Sequence, residues 1–200
     1  GQINAESPAE VAAISAIAND MNRVAPVALR VNVDVNPGTH AKISTGQRDT
    51  KFGISTQQLK ANNLYQKLAD DPHITPAGLA VHIGSQICDL APFESAYSAL
   101  LSLAIELRSA GLPVPHLDLG GGVGIDYVTA NPTDFTDYGA LVERLFTGQG
   151  FTLGFEPGRS IVANNGVLIT TDQSELLNSK DALEKKGYSI KSADLIMVPK

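Results

Sequence analysis

Short apolar runs alternate along this chain with longer stretches in which apolar positions recur at helical spacing. The runs Ile3–Ala5, Val27–Val33, Gly78–Ile83, His116–Leu119, Thr152–Phe155 and Gly166–Thr170 are β-branched or leucine-rich and bounded by Gly, Pro or Asn, which predicts strands. Between them the pattern predicts helices. Ser7-Pro8-Ala9-Glu10 has the form of a capping box with proline at the first helical position, opening a helix to about Met21. Ser55 or Thr56 opens a second, to about Ala69. Pro92–Ala110 is the longest, stopped by Gly111 with Pro113 beyond, and Tyr138–Phe146 makes a fourth. Strands apolar on both faces, alternating with helices, predict an α/β fold: a parallel sheet covered by helices.

A closed (β/α)8 barrel usually takes about 250 residues. With 200 residues and five or six predicted strands, the chain reads as a partial (β/α)8 TIM barrel, and an open doubly wound sheet is the competitor. The competitor's fingerprints are missing. "GGGVGI" places Ile125 where a dinucleotide pattern needs its third glycine, and no Gly-Lys-Ser/Thr follows any glycine run. Residues 1–170 form the barrel unit on this reading. From 171 the chain changes character: "TDQSELLNSKDALEKKGYSIKSADLIMVPK" is Lys-rich and predicts a helix, Gln173–Lys186, then a strand, Tyr188–Val198.

Composition adds limits. At 43% hydrophobic, 18% charged and no Trp, the chain is an ordinary globular one. A net charge of −6 argues against a nucleic-acid surface and leaves a small anionic ligand open. Cys88 is the single cysteine, so an internal disulfide and a thiolate-only metal site are excluded, and a reducing, cytoplasmic setting fits. No apolar run approaches a membrane span and no signal pattern opens the chain. The start, "GQINAES", lacks Met and runs from a strand directly into a helix, so the chain is expected to be a fragment.

Three predicted strand ends carry unusual chemistry. "AVHIGSQICD" puts His82, Gly84, Ser85 and Gln86 at or past the end of a strand. An imidazole there can stack on a flat ring or move a proton, or it is a structural hydrogen-bonding group. "HLDLGGGVGIDY" ends a strand in Gly120, Gly121 and Gly122; three glycines offer bare amides that can nest a phosphate, or they make a flexible turn. "LGFEPGRSI" ends a strand in Glu156 and Arg159 around Pro157-Gly158. The two charges either form a loop salt bridge or face a ligand, Glu156 a ring nitrogen and Arg159 a phosphate or carboxylate. In parallel α/β proteins, strand C-termini are where ligands bind. A phosphate, a planar ring and a protonated ring nitrogen together describe pyridoxal 5'-phosphate, whose charged ring accepts electrons from a substrate's α-carbon during decarboxylation.

With "ALRVNVDVNPGTHAKISTGQRDTKFGIS", "GLAVHIGSQICDLAPFESA", "HLDLGGGVGIDY" and "FEPGRSIVANNGVLIT", the chain resembles the diaminopimelate decarboxylase family from Gly1 to about Thr170. That family belongs to the alanine-racemase-like, fold type III pyridoxal-phosphate decarboxylases. The resemblance implies decarboxylation of meso-2,6-diaminopimelate to L-lysine and CO2, on a barrel followed by a β-domain, in a homodimer. It implies that His82 stacks on the cofactor ring, Ser85 lies near its phosphate, and Gly120, Gly121 and Gly122 hold that phosphate. It makes Glu156 the partner of the pyridine nitrogen, with Gly158 and Arg159 at the cofactor and Arg159 also reaching a substrate carboxylate. His82 and Glu156 are then the catalytic candidates. Asn4, Glu6, Arg30 and Asn32 face the barrel interior, where a structural polar network is the favoured reading.

The same resemblance sets expectations about what is missing. The family's Schiff-base lysine lies on an early strand before Gly1, and Lys42, Lys51 and Lys60 match no such motif. A C-terminal Cys-containing motif and a Tyr also lie outside, so the chain alone is expected to be inactive. A related ornithine or arginine decarboxylase and a non-catalytic cofactor-binding module are the alternatives. Residues 171–200 are similar to the C-terminal part of YebC-type regulators, which implies a tail of foreign origin; a divergent family tail is the other reading.

Overall fold

The computed structural model describes residues 1–35, 52–125, 135–163, 168–170 and 195–197, the last two segments as backbone. Five parallel strands form the main sheet in the order β1 (Ile3–Ala5), β2 (Ala25–Asn32), β4 (Ile74–Ala80), β5 (His116–Asp118) and β6 (Thr152–Gly154). A short β3 (Ile54–Ser55) pairs parallel with the end of β2. Helices α1 (Pro8–Asp20), α2 (Thr56–Ala61), α3 (Leu64–Asp70), α4 (Ala91–Ser109), α5 (Phe135–Phe146) and α6 (Arg159–Val162) lie between and after the strands. The alternation of strand and helix, and the parallel pairing, follow the hydrophobic pattern.

The boundaries differ where local chemistry intervenes. The strand expected at Gly78–Ile83 runs instead from Ile74 to Ala80. Pro76 disguises its beginning: proline has no N–H for the ladder, and the register against β2 shifts between Val27 and Ala28. The single helix expected from residue 56 to 69 is two, broken at Asn63, whose φ of 50° is left-handed. Asparagine tolerates that conformation better than most residues. At the start of α1, Ser7 Oγ accepts the Glu10 N–H at 3.1 Å, while the Glu10 carboxylate reaches back to the Glu6 N–H at 2.6 Å. The returning bond thus falls one residue earlier than in a regular capping box. The sixth expected strand is β7 (Leu168–Thr170), which pairs parallel with β8 (Leu195–Met197), inside the strand expected at Tyr188–Val198. The tail helix expected at Gln173–Lys186 lies outside the described residues.

Packing between the sheet and the helices is apolar, with Leu29, Leu79, Leu100, Leu117, Phe93 and Tyr97 at 1% exposure or less. Phe93, Tyr97 and Tyr138 meet edge-on or tilted, with ring centroids 5.5–6.4 Å apart. Arg108, at the end of α4, fastens the chain as it enters β5 and β6. Its Nε and Nη2 donate to the Val114 carbonyl at 2.9 and 2.7 Å, its Nη1 to Gln149 and its Nη2 to Gly150, while the guanidinium lies 3.5 Å from the centre of the Phe151 ring. Lys60 pairs with Glu106 on the outer surface, where such pairs contribute little.

Gly78 makes the β4–β5 contact possible. Its φ is +145°, and a Cβ built there lies 1.8 Å from the His116 carbonyl oxygen. Gly78→Ala is therefore expected to destabilise the fold by about 3 kcal/mol or more, seen as a lowered urea midpoint. An unchanged midpoint contradicts the close approach.

Candidate active site at the strand ends

The C-terminal ends of β4, β5 and β6 each run into a loop, and the three loops meet at the glycine triplet. Gly120 and Gly122 have φ of +67° and +97°. A Cβ on Gly120 comes within 2.2 Å of the Val81 oxygen, on Gly121 within 2.1 Å of the Glu156 oxygen, and on Gly122 within 2.0 Å of the Gly84 oxygen. Each glycine is thus required by the backbone of a neighbouring loop. The triplet is a junction, which explains its composition before any ligand is considered.

Hydrogen bonds tie the junction on both flanks. Glu156 N–H donates to the Gly120 carbonyl at 2.8 Å, and Ile87 N–H donates to the Gly122 carbonyl at 3.0 Å. Gly120 N–H donates to Asp118 Oδ1 at 2.9 Å, and Gly121 N–H donates to His82 Nδ1 at 3.3 Å. Two of the three amides expected to be bare are therefore engaged, because closely packed backbone finds internal partners. A cavity of about 40 Å³ adjoins the triplet, lined also by Phe135, Tyr138, Phe155 and Ser160. It has room for a group of a few atoms and not for an aromatic ring. A larger cleft of about 470 Å³ lies in the helix layer between α2, α3 and α4, lined by Leu59, Tyr65, Leu103 and Glu106.

His82 sits two residues beyond β4, half-buried. Its Nδ1 accepts from Gly121, so the neutral ring carries its proton on Nε2. Burial lowers its pKa below the usual value, and the Arg30 guanidinium lowers it further, against the opposing pull of Asp118 and Glu6. Arg30 Nη2 also donates to the His82 carbonyl at 3.3 Å. Glu156 is exposed, two residues past β6. Partial desolvation pushes its carboxyl above the usual range, the adjacent Asp118 adds to this, and Arg30 opposes it.

Asp118, at the end of β5, is 6% exposed and was not a candidate from the sequence. Besides the Gly120 amide it accepts from Asn4 Nδ2 at 3.0 Å, and Asn4 in turn accepts from Gln2 at 2.9 Å. Arg30 pairs with Glu6 at 2.7 Å, Glu6 accepts the Gly53 N–H at 3.2 Å, and Asn32 donates to the Phe52 carbonyl at 3.3 Å. Asn4, Glu6, Arg30 and Asn32 do form the polar interior network, and it reaches the site through Arg30 and Asp118. The signal for Asp118 was in the pattern: a carboxylate between Leu117 and Leu119 marks a polar inward position on an otherwise apolar strand.

Arg159 opens α6, and its Nη1 donates to Gln86 Oε1 at 3.2 Å. The loop salt bridge with Glu156 is not among the ion pairs of the described residues. Gly158 is exposed, and a Cβ there meets nothing within 4 Å, so packing does not require it. Ser85 is half-buried in the β4–α4 loop. Cys88 is exposed, with its Sγ 2.6 Å from a Cβ built on Gly124. Below the triplet, Tyr97 donates to the Leu119 carbonyl at 3.2 Å and meets the Tyr138 hydroxyl at 2.7 Å. These tyrosines are 41 residues apart, and no local pattern announces their meeting. No cluster of His, Cys, Asp and Glu able to hold a metal occurs among the described residues, and no described helix is long and apolar enough to cross a membrane.

Known proteins resemble this chain in sequence and in fold. Residues 1–163 match the family described as pyridoxal-dependent decarboxylase, pyridoxal binding domain. The diaminopimelate decarboxylase of Zymomonas mobilis is 45% identical over 172 residues, 85% of this chain and 40% of that protein. That of Pseudomonas fluorescens is 42% identical over 191 residues, 95% of this chain and 44% of its own length. This second alignment necessarily runs into residues 171–200. The crystal structure of diaminopimelate decarboxylase from Helicobacter pylori complexed with L-lysine superposes with a TM-score of 0.76 at 31% identity, covering 81% of this chain and 41% of that one. The chain spans about two fifths of the length of the relatives it matches.

The His82 environment yields a pH test. Its folded pKa lies below the usual 6.5. In the window between the two, the unfolded chain binds a proton that the folded chain does not. Stability is therefore lost as pH falls below 6.5 and is independent of this group above it. The His82 ring resonance in NMR is expected to titrate below 6.5, and His82→Gln should remove that part of the slope; titration above 6.5 contradicts the buried neutral ring.

Proposed function

Because this chain belongs to the pyridoxal-dependent decarboxylases, through their pyridoxal-binding domain, we propose that it binds pyridoxal 5'-phosphate where β4, β5 and β6 end. The whole protein, on this reading, decarboxylates meso-2,6-diaminopimelate to L-lysine and CO2, the reaction implied by its diaminopimelate decarboxylase relatives; the resemblance adds a homodimer as its working form. The observation that carries the cofactor site is the convergence of a neutral imidazole, a carboxylate and a glycine junction on one set of loop backbones.

The residues fit the group by their chemistry. His82, neutral and held by Gly121, is a flat surface suited to an aromatic ring. The open outer side of Gly158, the Ser85 hydroxyl and the remaining donors of Arg159 suit a phosphate at the loop rim, beside the glycine triplet that holds these loops together. Glu156 would face the ring nitrogen. When bound, pyridoxal 5'-phosphate supplies an electron-accepting ring that spreads the electron pair left on the α-carbon as CO2 departs. As a carboxylate, Glu156 would stabilise a proton on a facing nitrogen by its negative charge, and the nearby Asp118 makes the site's potential more negative. Arg30 moderates both effects and holds the His82 carbonyl. The L-lysine in the Helicobacter pylori structure supports an amino-acid ligand here.

Absorbance titration of the purified chain with pyridoxal 5'-phosphate tests the site. Glu156→Ala should weaken binding by about tenfold, about 1.4 kcal/mol. Gly121→Val should abolish it, since even a Cβ collides with the Glu156 carbonyl. Binding untouched by both substitutions places the cofactor elsewhere.

A further inference from the structure

Four non-glycine residues among those described have left-handed backbone: Asn22, Asp34, Asn63 and Gln86. Three are Asn or Asp, whose short side chains make that conformation tolerable. Gln86, with φ of 62°, is the exception, and its surroundings say what holds it there. Its Nε2 donates to the Ile125 carbonyl, and its Oε1 accepts the Ile125 N–H at 3.2 Å. Next to it, Ile87 N–H donates to Gly122 and the Ile87 carbonyl accepts from Gly124 at 2.8 Å. The β4 and β5 loops are zipped together, and the Gln86 carboxamide forms the last rung.

The second lone pair of the same Oε1 accepts Arg159 Nη1 at 3.2 Å, from the β6 side. One carboxamide thus touches all three loops of the site and uses both acceptor positions of its oxygen. It is also the partner of the Arg159 side chain among the described residues. A guanidinium has five donors in a rigid fork, so restraining one nitrogen fixes the direction of the rest.

We propose that Gln86 is a positioning residue, which aims the Arg159 guanidinium at the oxyanion of the ligand. The inference rests on the proposed cofactor site and adds a role that the site reading leaves unassigned. The oxyanion is either the cofactor phosphate or an amino-acid carboxylate, and the two have separable readouts. Gln86→Met keeps the length of the side chain and removes all three hydrogen bonds.

The test is a double-mutant cycle with Gln86→Met, Arg159→Met and both together, on the whole chain. Three affinities are read: for pyridoxal 5'-phosphate, for pyridoxal without phosphate, and for L-lysine on the cofactor-loaded chain. Arg159→Met is expected to weaken the anionic ligand it meets by about tenfold, Gln86→Met by about fivefold, and the double variant no more than Arg159→Met alone. Pyridoxal affinity should be unchanged throughout. Loss confined to pyridoxal 5'-phosphate assigns the phosphate; loss confined to L-lysine assigns the carboxylate. Multiplying effects, or an equal loss for pyridoxal, mean that Gln86 only supports the loop and overturn the inference. So does an Arg159→Met variant that binds every ligand normally. Absence of cofactor binding by the unsubstituted chain overturns the site itself, a distinct result. If Gln86→Met does not fold, Gln86→Glu decides: its carboxylate pairs with Arg159 and should weaken the anion while leaving pyridoxal alone.

Discussion

Everything at the strand ends depends on how closely three backbones approach one another. At Gly120, Gly121 and Gly122 the space a Cβ would take is held by the carbonyl oxygens of Val81, Glu156 and Gly84. With side chains there, the β4, β5 and β6 loops would stand apart and their hydrogen bonds would break. Their absence lets Gly120 accept from Glu156 and Gly121 donate to His82. The candidate groups are thus placed by main-chain contacts, which have few ways to relax, rather than by long side chains.

Beneath the junction lies a polar layer in an otherwise apolar interior. Asp118 receives the Gly120 amide and Asn4, while Arg30 links Glu6 with the His82 carbonyl. Buried polar atoms persist at low cost only when they are satisfied, and these are. The layer also sets the electrostatics above it: the Asp118 carboxylate raises Glu156, and Arg30 pushes His82 towards its neutral form. The hydroxyl contact of Tyr97 with Leu119 and the Arg108 clamp on Val114 support the same strand from the helix side and from its start. One strand of three residues, β5, is therefore held from three directions, and the site is built on it.

Much of the architecture was legible along the chain. The helix from Pro92 and the stop at Gly111 appear within a residue of α4, because caps and breakers act over a single turn. The strand beginning at Ile74 was misplaced because Pro76 reads as a breaker, and only the partner strand shows how a register shift accommodates it. His82, Glu156 and the glycines were visible as odd residues at strand ends, and the structure brings them together. Along the chain the glycines offer a phosphate nest or a turn; the structure adds that two of their amides bind inside the protein and that the triplet is a backbone junction.

Gln86 and Asp118 show where sequence reading ends. Each is a polar residue at or past the end of an apolar strand, but each takes its role from residues far away: Arg159 is 73 positions from Gln86, and Asn4 is 114 from Asp118. By itself the sequence determined that strands alternate with helices, that the strands run parallel, and which strand ends carry unusual residues, since periodicity, capping and turn preference depend on residues a few positions apart. Only the tertiary structure decided which loops touch, which amides are already used and which side chain restrains which charge. Those depend on contacts made when distant strands become neighbours in one sheet, and no local pattern encodes them.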